Sequence, residues 1–238
     1  MAGLLAMPAI HSLAGGGSGP SITLNLGNGL TKPSTSILIL LLVSLLGVAP
    51  SLLVLLTGFT RIVIVLGLAR QALGLTNIPP NQVIAGLALF LSLFVMAPTL
   101  HQMDKVALQP YLAGRETAVQ AITEAQVPLK HWMLRQTRSD ELSLMEQAEG
   151  TKTPPGQLPS LGVLVPAFLL SELKSAFIIG FVIFIPFLVI DLVVSSVLMS
   201  MGMVMLPPTL VSLPFKILLF VLVDGWTLIA HTLLVSFR

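Results

Sequence analysis

Four apolar runs dominate the chain: Ile37 to about Leu73, Gln82 to Leu100, Leu161 to about Met205, and Thr209 to Phe237. One polar window interrupts them, and thirteen of the 22 charged residues fall inside it, between His101 and Lys152. A membrane span takes about 20 apolar residues. The first and third runs are therefore too long for one straight helix and must bend, break or leave the membrane. Break points are offered by Gly47/Pro50, Gly180/Pro186 and Gly202, because an interior proline removes a helical hydrogen bond and kinks the chain.

The expected architecture is all-α and membrane-class, with kinked or broken long helices in two apolar hairpins and a small helical polar domain inserted between them. Residues 34–100 form the first hairpin, turning at TNIPPNQ; residues 101–160 form the polar domain; residues 161–238 form the second hairpin, turning at MGMVMLPP. In the polar window Ala118, Ile122 and Ala125, then Trp132, Met133, Leu142 and Met145, recur at helical spacing. Two or three short amphipathic helices are expected there, with breaks at Pro110, Pro128 and the linker TKTPPGQLP. Residues 1–33 combine a short apolar, small-residue start with a Gly/Ser/Thr/Pro-rich tail. This has the shape of a signal peptide without its basic start, so it is either part of a longer signal or a plain exposed terminus.

Composition excludes several functions. With 55% hydrophobic and 9% charged residues and a mean hydropathy of +0.96, the chain lies outside the range of soluble domains. A net charge of +2 without a basic run leaves no nucleic-acid footprint. Cysteine is absent, so there is neither a disulfide nor a thiolate site. No GxxxxGK[ST], GxGxxG, GxSxG or HExxH pattern occurs. His11, His101, His131 and His231 are scattered, with no second ligand one turn away, so no metal and no cofactor are expected. An acid pair of Asp191 and Asp224, as in an intramembrane aspartyl protease, lacks the GxGD-type context, and the chain is not expected to be an enzyme.

Charges inside the apolar runs are the stronger signal. Arg61, Arg70, Glu172, Lys174, Asp191, Lys216 and Asp224 each cost about 2.5–3.5 kcal/mol at a lipid-facing helix centre. They are expected to face protein or water, with Arg70 snorkelling to an interface. Counting outward from a turn near Pro207 puts Asp191 level with Asp224, and Lys216 level with Met199. Lys216 then finds no acid level with it in its own hairpin, so its partner is expected on another segment or another copy of the chain, with Glu172 the candidate for an assembly salt bridge. The turn itself carries Met199, Met201, Met203 and Met205 before Pro207-Pro208. Flexible apolar side chains at such a joint suit a site that closes on itself and later yields.

Long ordered blocks give a resemblance. FTRIVIVLGLARQALGLTNIPPNQVIAGLALFLSLFVMAPT at 59–99, WMLRQTR at 132–138, SELKSAFIIGFVIFIPFLVIDLVVSSVLM at 171–199 and LPFKILLFVLVDGW at 213–226 resemble the FliP family of flagellar type III secretion export proteins. That family is related to the SctR proteins of virulence injectisomes. The resemblance implies a cleaved signal peptide and a location in the bacterial inner membrane and flagellar basal body, with the polar domain periplasmic. It implies about five copies of the chain, assembled with FliQ- and FliR-like subunits inside the basal-body ring. It implies a pore for unfolded secreted proteins, sealed by a methionine gasket. The family pattern runs closer to three consecutive methionines, where this chain has Met203-Val204-Met205, and its ELK and PFK charges fall on Glu172 and Lys216. The alternatives are the injectisome paralogue and a small-solute or ion transporter. A transporter would show internal repeats and a polar midplane site, and neither is visible.

Overall fold

The computed structural model describes residues 35–154, 156–203 and 205–237, and every regular element among them is helical. The signal-like start and Val204 lie outside the described residues. By contact the chain divides at Ser44/Leu45, inside the first helix, and the core belongs to the unit of residues 45–238. The elements are α1 (Thr35–Leu56), α2 (Phe59–Ala72), α3 (Asn81–Met103), a π-helical turn (Asp104–Leu108), α4 (Gln109–Leu112), α5 (Ala118–Gln136), α6 (Ser139–Glu149), α7 (Leu161–Ser200), α8 (Pro208–Leu222) and α9 (Gly225–Val235).

Among the described residues two helices are long and apolar enough to span a membrane, Asn81–Leu112 and Leu161–Ser200, and the count rises to four if each bent pair is one span. The bent pairs are Leu46–Leu56 with Phe59–Ala72, at 70°, and α8 with α9, at 63°. At about 1.5 Å per residue the 40-residue α7 is about 60 Å long, twice the hydrocarbon core. It is a single helix all the same, too long to lie upright within one hydrocarbon core.

Several expected breaks are absent. Pro50 lies inside α1, and the bend falls instead at Thr57–Gly58. A Cβ on Gly58 would meet the Phe237 ring at 2.6 Å, so only glycine lets that ring close against the corner. Gly180 and Pro186 lie inside α7 without ending it. Gly180 serves a close approach, because a Cβ there would meet Leu68 Cδ1 at 2.2 Å. Pro110 and Pro128 do not break their helices either. The π turn directly before Pro110 takes up the distortion that a proline ring imposes on the preceding turn. It also aligns Asp104 with Gln109, five residues apart and hydrogen-bonded at 2.8 Å. Pro128 is buried within α5, where Trp132 and Met133 pack into the core and hold the helix in place.

The core forms where α2 lies on α7. Ile62, Val65, Leu66 and Ala69 of α2 are buried with Leu164, Phe168 and Ala176 of α7, and Trp132 and Met133 of α5 close the layer. The α2–α3 turn is the expected TNIPPNQ joint. Arg70 holds it by donating to the Pro79 carbonyl at 3.0 Å and to Asn81 Oδ1 at 2.7 Å, so this residue builds a turn as well as reaching an edge. Thr117 and Gln120 form a capping box at the start of α5, Ser160 caps α7, and Gly150 closes α6 in the left-handed conformation.

The glycines supply a direct test. Gly180→Ala should destabilise the chain by about 1–3 kcal/mol through overpacking against Leu68. Gly67→Ala, with nothing within 4 Å of its new Cβ, should stabilise α2 by up to about 1 kcal/mol. Thermal unfolding in detergent reads both, and equal effects at the two sites would contradict the close α2–α7 approach.

Candidate functional site

The charges inside the apolar runs converge in two places. Arg61 on α2 is 3% exposed and Glu172 on α7 is fully buried. Arg61 Nε donates to Glu172 Oε2 at 2.9 Å, and Nη2 donates to Oε1. Nη2 also donates to Gln136 Oε1 at 3.2 Å, and Nη1 to the Ser236 carbonyl at 2.7 Å and its hydroxyl at 3.1 Å. All five guanidinium donors are thus satisfied. Gln136 Nε2 passes the network on to the Phe237 carbonyl at 3.0 Å, and the Phe237 ring lies 4.0 Å from the guanidinium carbon. Beside it, Ser171 Oγ accepts from the Arg138 backbone at 3.0 Å, tying the α5–α6 joint to α7.

The second place is within the second hairpin. Lys216 Nζ donates to Asp191 Oδ2 at 2.6 Å and to the Ala72 carbonyl, at the end of α2, at 3.2 Å. Ser212 Oγ donates to Asp191 Oδ1 at 2.6 Å. This corrects the expected Glu172–Lys216 pairing, since each has its own partner within the chain. Level counting fails here because it treats the turn as helical. Measured from the helix ends at Ser200 and Pro208, Asp191 and Lys216 are at nearly equal height. Asp224 is not level with Asp191. It sits at the α8–α9 bend with φ 50°, exposed and without a side-chain hydrogen bond among the described residues.

Lys174 faces the polar domain and donates to Glu141 Oε1 at 2.8 Å. That hydrogen bond holds the Glu141 carboxyl below its ordinary value of 4.5. A depressed folded value stabilises above the unfolded value and is lost as pH falls through the folded one. The protection of α6 amides, taken relative to their intrinsic exchange rate at each pH, should therefore fall as pH drops below about 4.5 in wild type, while Lys174→Met should show a smaller acid step.

The methionine turn is built by its backbone. Gly202 adopts φ 75°, with Gly202 N–H bonded to the Met199 carbonyl and Met203 N–H to the Leu198 carbonyl, each at 3.0 Å, which forms a Schellman closure of α7. Pro207 and Pro208 then start α8 with preset φ angles. Met199, Met201, Met203 and Met205 are all exposed, Met205 completely. No cluster of three His, Asp or Glu side chains able to hold a metal occurs among the described residues. The apolar groove of about 500 Å³ between α7 and the α8–α9 bend has no charged lining residue.

Of the residues singled out from sequence, Arg61, Glu172, Asp191, Lys216 and Lys174 all lie in ion pairs. Gln136, Ser212, Ser236 and Phe237 complete the networks and are not singled out by sequence. Gln136 lies within the WMLRQTR block, whereas Ser236 and Phe237 carry no local signal.

Fold and site together define an all-helical membrane-class protein, with buried charge clamps at one end and an exposed methionine turn at the end of a long hairpin. The FliP family model matches residues 42–233, and the chain belongs to that family. The flagellar biosynthetic protein FliP of Bacillus subtilis is 53% identical over 86% of this chain and 93% of its own length. Those of Caulobacter vibrioides and Aquifex aeolicus are 47% and 44% identical, each over 92% of this chain and over 82% and 92% of their own lengths.

Coupling in the clamp is measurable. Arg61→Met should cost about 3–5 kcal/mol, because it leaves Glu172 buried and unpaired. Adding Glu172→Met should recover part of that loss. Denaturant unfolding of the two single variants and the double closes the cycle, and strictly additive losses would contradict the coupling.

Proposed function

We propose that this chain is a pore-forming subunit of the flagellar type III protein export gate in the bacterial inner membrane. About five copies stand with FliQ- and FliR-like subunits inside the basal-body ring, the polar domain facing the periplasm, and unfolded flagellar proteins pass along their axis. The observation that carries this reading is the methionine turn. It closes α7 and leaves four methionines exposed in their own chain, Met205 completely. Flexible thioether side chains from several copies meet in an apolar constriction, which seals by excluding water and ions and yields to a passing chain. Membership of a family whose members are flagellar biosynthetic proteins supports the same reading.

Two measurements test it. The mass of the complex purified from membranes should correspond to several copies of this chain together with other small membrane subunits; a monomer of about 25.3 kDa would contradict assembly. Replacing Met203 and Met205 with alanine should raise ion conductance across the membrane while leaving that mass unchanged. Unaltered conductance would remove the gasket.

A further inference from the structure

Ten methionines are present in the chain, and the fold sorts them by accessibility. Met96 and Met133 are buried in the core, and Met103 and Met145 are half-buried on their helices. In the turn, Met199 is 67% exposed, Met201 66%, Met203 38% and Met205 completely. Every exposed methionine among the described residues therefore lies between positions 199 and 205. The chain has no cysteine, so thioethers are its only sulfur targets for an oxidant, and attack on sulfur follows exposure.

The turn tolerates such attack. Its closure comes from Gly202 at φ 75° and from the backbone bonds of Gly202 N–H to the Met199 carbonyl and Met203 N–H to the Leu198 carbonyl. None of the four side chains belongs to the core. An oxygen added to them leaves the helix ends and the packing as they are, whereas the same oxygen on Met96 or Met133 would bury a polar group without a partner. Residues 192–215 also hold no charged residue and no histidine, so a sulfoxide alone changes the polarity of this surface.

We propose that the methionine turn is a reversible oxidation site for peroxide-class oxidants, and that its oxidation opens the seal. The opening rests on the gasket reading given above; the oxidation site does not. The sulfur lone pair attacks one peroxide oxygen: an S–O bond forms as the O–O bond breaks, sulfur gives two electrons to the peroxide, and water leaves. Methionine sulfoxide reductases reverse the step, one enzyme for each sulfoxide epimer, with the oxygen leaving as water and a dithiol oxidised to a disulfide. A sulfoxide is a polar acceptor, and a constriction that gates by staying dry loses that property when its walls bind water.

The full-length chain in detergent is treated with hydrogen peroxide, and the oxygen gained at each methionine is followed by peptide mass spectrometry. Met199, Met201 and Met205 should oxidise at nearly the rate of free methionine, Met203 more slowly, and Met96 and Met133 at least about tenfold more slowly until the chain is denatured. Equal rates in turn and core, with helical content retained, overturn the site. The complex purified from membranes and reconstituted in vesicles should gain ion conductance on peroxide treatment and lose that gain on incubation with both reductases and dithiothreitol. The combined variant Met199→Leu, Met201→Leu, Met203→Leu and Met205→Leu should show no gain, whatever conductance it starts from, and Met96→Leu should keep it. A gain that persists in the combined variant overturns the opening. So does selective oxidation at unchanged conductance where Met203→Ala with Met205→Ala raises it. If neither treatment raises it, the gasket reading fails and the opening with it, while the oxidation site stands on the mass measurement.

Discussion

The fold depends on the buried Arg61–Glu172 pair. Either charge alone in an apolar interior carries a desolvation cost of several kcal/mol, so α2 and α7 hold their positions only because both ions and all five guanidinium donors are met. The acceptors come from α5, α7 and the residues after α9, which lie 75, 111 and 175 positions from Arg61. No local folding event completes such a set. The clamp closes when distant elements have all arrived, and it fixes the polar domain and the chain's last helix in the same step.

Beyond the clamp the construction changes. Along the far half of α7, Phe181, Val182, Leu188, Leu192, Val193 and Val197 are exposed, and α8 is the helix packed beside it. Asp191, Ser212 and Lys216 form the polar tie between these two helices, and Lys216 extends it to the end of α2. A rigid body thus carries a long apolar hairpin whose tip is the methionine turn. The apolar surface of that hairpin needs covering by lipid or by other chains.

Much of this is legible in the residues themselves, for a physical reason. A charge in an apolar run is conspicuous because it is costly, so Arg61, Glu172, Asp191 and Lys216 stand out by their positions in the chain alone. Their partners do not. Pairing depends on the height at which each helix begins, and residues 201–207 change direction without climbing as a helix does. Proline and glycine suggest breaks, yet Pro50, Pro128 and Pro186 lie inside continuous helices. The real corner at Gly58 is set by Phe237, about three quarters of the chain away, and no local pattern around Gly58 could report it.

A membrane-class core keeps ion pairs because its longest helix is so uniform. α7 is rich in Leu, Ile, Val and Phe on every side, so sliding it past α2 by one turn, about 5.4 Å, exchanges one apolar surface for a similar one. Apolar packing alone discriminates such registers weakly. A five-donor guanidinium discriminates them strongly, because a slip by one turn separates Arg61 from both Glu172 oxygens and leaves two buried charges unmet. The Leu68 contact at Gly180 reinforces the same register sterically. Lys216 then repeats the device for α8, and the height of the methionine turn above the body follows from these two pairs rather than from hydrophobicity.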